Sequence, residues 1–430
     1  MTEQQKTRQG VFWAVTIGYG LFYVCRLSIN VLKKGIVDDG IATESQLGII
    51  GSALFFSYAV GKFANGFLAD RVNLRFFMAG ALLICAIVNA VLAIGVPFWL
   101  FVILWGINGW FQSAGAPCSI ISLKRWFGKD NYGTMYGYWS ASHNIGEALT
   151  FLITAAVVSA WGWRAGFLSA AAIGLFGVLI ILVFLKHYVS PEEQTMTQAQ
   201  KQKNIGKKQR EVLKMPIIWV LALASAFFYI GRYAVNSWGI YFLQNAKAYS
   251  TVEASSTIAI NSVCGIVGTV ASGLLSDKLF KGDRVRLAVI TSVVNLASLL
   301  LFLFVPEGYY WVDCATMVLF GLSVGILLCF LGGLMAVDVA PEEAVGAAVG
   351  VIGIASYAAA GLQDIVSGFL IEDRKSVIEV MNEAGEIVQQ TLYDFSAIRF
   401  FWVGAAVCSL ALLTFLLVRQ QRRKKMMITD

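Results

Sequence analysis

The sequence predicts an all-α membrane protein of twelve transmembrane helices in two pseudo-symmetric six-helix bundles. Three observations carry that reading. The 430 residues are 58% hydrophobic and only 14% charged, with a mean hydropathy of +0.70. Soluble domains carry about 25% charged residues, and a soluble fold of this size could not hide so much apolar surface. Next, the apolar residues fall into stretches of about the 20 residues that a bilayer demands of a spanning helix. Finally, two stretches nearly repeat: FYVCRLSIN at 22–30 and FYIGRYAVN at 228–236, offset by 206 residues.

In order, the expected spans are 11–31, 46–69, 76–95, 98–123, 133–158, 163–185, 216–243, 254–277, 285–304, 310–337, 343–371 and 396–418. The first follows a short polar start without a cleavage site, so it reads as a retained helix. Gly133 with Gly137 and Gly346 with Gly350 have the spacing that lets helices approach closely in lipid. Residues 186–215 are polar, with Lys201, Lys203, Lys207, Lys208 and Arg210, and read as a cytoplasmic linker between an N-terminal bundle (1–185) and a C-terminal bundle (216–430) with a basic tail. A polar stretch at 372–395 suits a small surface hairpin.

Cation placement sets the topology. With both termini cytoplasmic, 23 of the 33 lysines and arginines fall on the inner side and 7 outside, among them Lys33 and Lys247. Arg26, Lys62 and Arg232 remain within the spans. The repeat extends further: GFLADRVNLR (66–75) parallels GLLSDKLFKGDRVR (273–286), and GTMYG (133–137) parallels GAAVG (346–350). Matched landmarks in the same order indicate two homologous halves.

The repeated arginine is the main functional signal. A charge at a helix centre costs at least about 2.5–3.5 kcal/mol on insertion scales. Arg26 and Arg232 each lie about 22 Å into their helices, which strains snorkelling. They either pair with a buried acid, for which Glu147, Asp313 and Asp364 are available, or face each other across a pore and bind an anion; their symmetric placement favours the pore. A guanidinium suits phosphate because its planar fork donates two parallel hydrogen bonds. Lys62 is a third cation for the same anion, or else reaches the inner interface. His143 and Glu147 share one face of a helix. The histidine either donates to phosphate or forms a polar pair between helices; the carboxylate repels an anion unless protonated or paired, with Lys62 or His143 in reach. Tyr19, Tyr23 and Arg26 share a face, Tyr229 and Arg232 repeat the second pair, and phenols donate to phosphate or sugar oxygens. Tyr357 and Gln112 are further candidates. Asp70-Arg71 and Asp277-Lys278 end helices at the inner side and read as conformational latches.

The seven cysteines are scattered through apolar segments without ligand spacing, so neither a disulfide framework nor a metal site is expected. The sequence has no glycine-rich loop for ATP phosphates and no nucleophile constellation. We therefore expect no enzyme, no cofactor and no nucleic-acid partner, and a monomer acting in the bilayer.

GFLADR and GLLSDK resemble the signatures of the major facilitator superfamily. GYGLFYVCR (18–26), SYAVGKF (57–63), WSASHNIG (139–146), FYIGRYAVNSW (228–238) and SDKLFKG (276–282) resemble its organophosphate:phosphate antiporters, over essentially the whole chain. The resemblance implies the major facilitator fold in a cytoplasmic (inner) membrane and exchange of an organic phosphate for inorganic phosphate. It implies that Arg26 and Arg232 grip the phosphoryl group, with Lys62, His143, Tyr19, Tyr23 and Tyr229 assisting. Departures stand at Leu27, Glu147, Val349 and Ile352, and they leave the organic half of the substrate open. A transporter-like membrane sensor of a sugar phosphate, signalling to a partner kinase, shares this fold and these arginines; a proton-coupled symporter using His143 and Glu147 is the third alternative.

Overall fold

The computed structural model describes residues 3–69, 72–186, 210–280, 283–340, 345–381 and 387–429. Over these residues thirteen helices and one hairpin follow in order: α1 Glu3–Asp38, α2 Glu44–Ala69, α3 Leu74–Leu92, α4 Phe98–Gln112, α5 Gly115–Ser140, α6 Ser142–Phe184, α7 Pro216–Ala246, α8 Thr251–Leu274, α9 Arg284–Phe304, α10 Tyr310–Cys329, the short α11 Met335–Val339, α12 Val345–Asp373, strands β1 Lys375–Met381 and β2 Ile387–Tyr393, and α13 Ser396–Thr429. The helix starts are written locally. Asn73 caps α3 and Asp283 caps α9 with side-chain oxygens, Ser250 and Glu253 form a reciprocal capping box on α8, and Pro216 opens α7.

Among the described residues, nine helical stretches are long and apolar enough to cross a membrane unaided, and one of them, Tyr138–Phe184, spans two of the expected crossings. Gly162 divides it, with φ of 78°, in the left-handed region open to glycine. Two expected spans remain. The span 46–69 lies in one continuous helix, α2. The expected span 98–123 breaks after Gln112, where the Ser113 hydroxyl bonds back to the Trp110 carbonyl at 2.7 Å and competes with the helix ladder. The chain then stays helical from Gly115 to Ser140, through residues expected to form a loop.

Tight helix pairs depend on glycine. A Cβ at Gly146 of α6 would overlap the Gly20 carbonyl of α1. The expected close approach at Gly350 is not found among the described residues, where a Cβ would meet nothing within 4 Å; the surroundings of Gly133, Gly137 and Gly346 lie outside the description. The polar stretch after α12 does form the expected hairpin, with Lys375 opposite Tyr393 and Met381 opposite Ile387. The expected linker lies almost wholly outside the described residues.

Helix α1 runs further than expected, and this corrects the cation count. Lys33, counted among loop cations, is an α1 residue only 2% exposed. Lys247 is also buried, bonded to Asp313 at 2.6 Å.

Candidate functional site: an arginine pair in an aromatic cage

The backbone carbonyl of Cys25, one residue before Arg26, accepts hydrogen bonds from the amides of Asn89 at 2.9 Å and Asn108 at 3.0 Å. The Gln112 amide donates to the Phe22 carbonyl at 2.9 Å and to Asn108 Oδ1 at 3.4 Å. This buried amide ladder from α3 and α4 fixes the rotation of α1 and turns Arg26 toward α7. Gln112, expected beside the ligand, is placed in this ladder and not among the arginines.

Arg26 is 4% exposed. Its Nη2 donates to the Tyr233 hydroxyl at 3.3 Å, across 207 residues of sequence. Its guanidinium lies 4.8 Å from the Tyr58 ring, 5.5 Å from Phe55 and 5.8 Å from Tyr23. Its Nε is buried and has no hydrogen-bond partner among the described residues. Arg232, partly buried, lies 5.0 Å from the ring of the same Tyr233 and 5.7 Å from Tyr229. One tyrosine thus stands between the two arginines, and each guanidinium rests against ring faces, where the quadrupole attracts a cation.

The other candidates extend this group. Tyr19 packs on Tyr23 with centroids 5.6 Å apart, and Tyr23 on His143 at 5.9 Å. Tyr357 of α12 touches Tyr58 at 4.9 Å and Tyr229 at 5.7 Å, and Lys62 Nζ stands 5.6 Å from the Tyr357 ring. The structure therefore brings Arg26, Arg232, Lys62, His143, Tyr19, Tyr23, Tyr229 and Tyr357 into one cage built from α1, α2, α6, α7 and α12. Lys62 is exposed.

Two of the three candidate acids are used elsewhere. Asp313 bonds Lys247, and Asp364 accepts from the Trp238 indole at 3.0 Å. Glu147 Oε1 accepts from Asn236 at 2.7 Å and from Ser262 at 2.5 Å, while Asn30 donates to the Asn236 carbonyl at 3.1 Å. Glu147 lies close enough to Arg232 for their charges to interact. Of the latch residues, Asp70 and Arg71 lie outside the described residues. Asp277 and Lys278 sit in a π-helical turn, Leu275–Leu279, and their side chains lie outside the description.

Three cage residues were not singled out from sequence: Tyr233, Tyr58 and Phe55. Tyr58 carried a signal, since it stands one turn before Lys62 on the same face. Tyr233 follows the repeated arginine, but the first half has Leu27 there, so the repeat gave no hint. Among the described residues no group of side chains has the makeup of a metal site.

Residues 15–363 match the family model of the Major Facilitator Superfamily. The chain is 30% identical over 371 residues to the "Membrane sensor protein UhpC" of Salmonella typhimurium, covering 83% of each chain. It is 31% identical over 391 residues to the "Probable hexose phosphate transport protein" of Chlamydia trachomatis, covering 85% of each. The crystal structure of the nucleoside transporter NupG has the same fold, with a TM-score of 0.73 at 14% identity over 95% of this chain and 99% of that one. An all-α fold, a family match over most of the length and the two relatives agree: the chain belongs to the Major Facilitator Superfamily and, within it, to the organophosphate:phosphate antiporter family.

Proposed function

We propose that this protein exchanges an organic phosphate for inorganic phosphate across a cytoplasmic membrane by alternating access, with both termini cytoplasmic. Its two halves, 1–185 and 216–430, rock about the cage. The observation that carries this reading is the pair of arginines, one from each copy of the repeat, meeting at Tyr233 with Arg26 Nε unpartnered. A phosphate monoester carries about −1.5 to −2 charge at pH 7, which two guanidinium groups neutralise. Lys62, His143 and the tyrosines supply further donors. Empty, the arginines repel and resist closure around a dry cavity; a bound dianion removes that repulsion and lets the halves close on it. Orphaned cations are costly in low dielectric, so the empty carrier reorients slowly and transport is an exchange.

Liposomes carrying the purified protein and preloaded with inorganic phosphate should take up labelled glucose 6-phosphate, glycerol 3-phosphate or phosphoglycerate. Unloaded liposomes should not. Equal uptake without an internal anion would rule out obligatory exchange. The similarity to a membrane sensor supports a second reading, in which the same cage binds a sugar phosphate and reports it to a partner kinase; binding without turnover in these liposomes would select it.

A further inference from the structure

Glu44 opens α2 and is fully buried. Among the described residues, every hydrogen-bond donor that reaches its carboxylate comes from the other half of the chain. Oε1 accepts from the hydroxyls of Tyr241 in α7 at 2.9 Å and Tyr393 in β2 at 2.8 Å, and Oε2 accepts from Lys375 in β1 at 2.7 Å. Lys375 and Tyr393 are directly opposite each other in the hairpin, so both side chains leave the same face of its first rung. Beside them, the Ser45 backbone N–H donates to Glu372 at 2.8 Å.

The backbones below this cluster touch. A Cβ at Gly368 would overlap the Glu44 carbonyl, one at Gly48 the Asp364 carbonyl, and one at Gly51 the Asp364 carboxylate. Deeper still, Lys33 Nζ lies 3.6 Å from the Trp238 ring, whose indole holds Asp364. Between this layer and Arg26 lies a void of about 20 Å³, bounded by Arg26, Asn30, Lys33, Gly51, Ser237 and Asp364. That is room for about one water and not for a phosphate. The hairpin end is shut.

We propose that the β1–β2 hairpin is a strap that latches this end of the carrier, with Glu44 as the catch. The inference rests on the alternating-access reading, because only a carrier whose halves separate here must release Glu44. The strap extends α12 and leads into α13, so it moves with the second half, and Glu44 moves with the first. Separation strips the carboxylate of three donors at once, two of them on the strap. A buried carboxylate cannot lose its donors without water replacing them, so the end opens as a unit, when solvent reaches Glu44. The strap thereby biases the resting carrier toward the state closed at this end.

The test is maleimide labelling of purified protein in detergent, with the incompletely buried cysteines Cys264, Cys329 and Cys408 replaced by serine and Ser237→Cys as reporter on the void. Glu44→Gln and Lys375→Met should each raise the labelling rate by about tenfold, as expected for losing one charge-assisted bond. Rates within twofold of the parent would overturn the latch. A second arm covers variants that fold poorly: Ser45→Cys with Glu372→Cys should cross-link on oxidation, suppress reporter labelling and stop phosphate exchange in liposomes, with reduction restoring both. A cross-linked protein that labels and exchanges at the reduced rate also overturns it. Labelling needs no substrate, so a response in every variant without phosphate exchange in any of them would refute the exchange reading and leave the latch standing. Exchange in the parent with unresponsive labelling would refute the latch alone.

Discussion

Arg26 of α1 donates a hydrogen bond to Tyr233 of α7, the residue that follows the matching arginine of the second half. One copy of the repeat thus supplies the cation, and the other supplies both its partner and a second cation over that partner's ring. Two positive charges therefore share one aromatic enclosure, with no carboxylate of the described residues bonded to either.

Arg26→Lys and Arg232→Lys should each keep the fold and lose phosphate recognition. A lysine retains the charge but not the planar pair of donors. Truncating one partner of a buried charged contact costs about 2–5 kcal/mol, so exchange at limiting phosphate should fall by at least about thirtyfold. Phosphate-dependent uptake by liposomes is the measurement, and normal uptake in either variant contradicts the site.

Tyr233→Phe retains the ring contact with Arg232 and removes the acceptor of Arg26. Hydrogen bonds to charged groups contribute about 1.5–3 kcal/mol. The unliganded variant should melt at a lower temperature than the parent, and phosphate should raise its melting temperature by a larger increment, because the anion then satisfies an arginine with no protein partner. Equal increments in both proteins would show that the Tyr233 hydroxyl plays no part in holding the empty site.

Asp313→Asn should be strongly destabilising, because Lys247 and the Tyr249 hydroxyl, both 2.6 Å from the Asp313 carboxylate, lose a buried acceptor charge. Breaking a buried pair costs about 3–5 kcal/mol, whereas replacing both ions by apolar residues of similar size is often neutral. The double variant Lys247→Met with Asp313→Leu should therefore recover most of the melting temperature lost in the single one. A double variant no more stable than Asp313→Asn would assign the pair a further role.

Stability at the hairpin end should depend on pH through Asp39. Its carboxylate accepts from the Trp163 indole at 2.8 Å and from Arg164 at 2.9 Å. The indole bond, then the arginine, hold its pKa below the usual carboxylate range. A folded-state pKa below the unfolded one stabilises the protein at pH values above about 4. That contribution is lost as pH falls through the folded value. Asp39 is solvent-screened, so the effect is small. The melting temperature of Asp39→Asn should decline less between about pH 5 and pH 3, within the usual carboxylate range, than that of the parent. Superimposed acid limbs would remove Asp39 from the account.

Much of the site was legible because its chemistry violates its surroundings. Arg26, Arg232 and Lys62 stand out in apolar helices, and the 206-residue offset pairs the arginines before any contact is known. Tyr233 was not legible, since it has no counterpart in the first half and a tyrosine in a spanning helix is ordinary on composition. Lys33 was misplaced because hydropathy alone ends α1 near residue 31. The helix continues to Asp38, and there the chain turns at Gly40, with φ of 67°. Gln112 was a polar residue in a span, and its position cannot tell a ligand donor from an anchor for a neighbouring backbone.

Hydropathy and repetition are sums or periodicities along the chain, so the sequence alone determined the membrane class, the helical fold and the repeated arginine. The rotation of each helix about its axis depends on contacts hundreds of residues away, such as the overlap at Gly51 and the amide ladder on Cys25. Only the tertiary structure decided that Tyr233 contacts both arginines, that Asp313 serves Lys247 and Asp364 the Trp238 indole, and that a surface hairpin grips Glu44. Those pairings are set by which faces of the helices meet, and no local property of the chain encodes that.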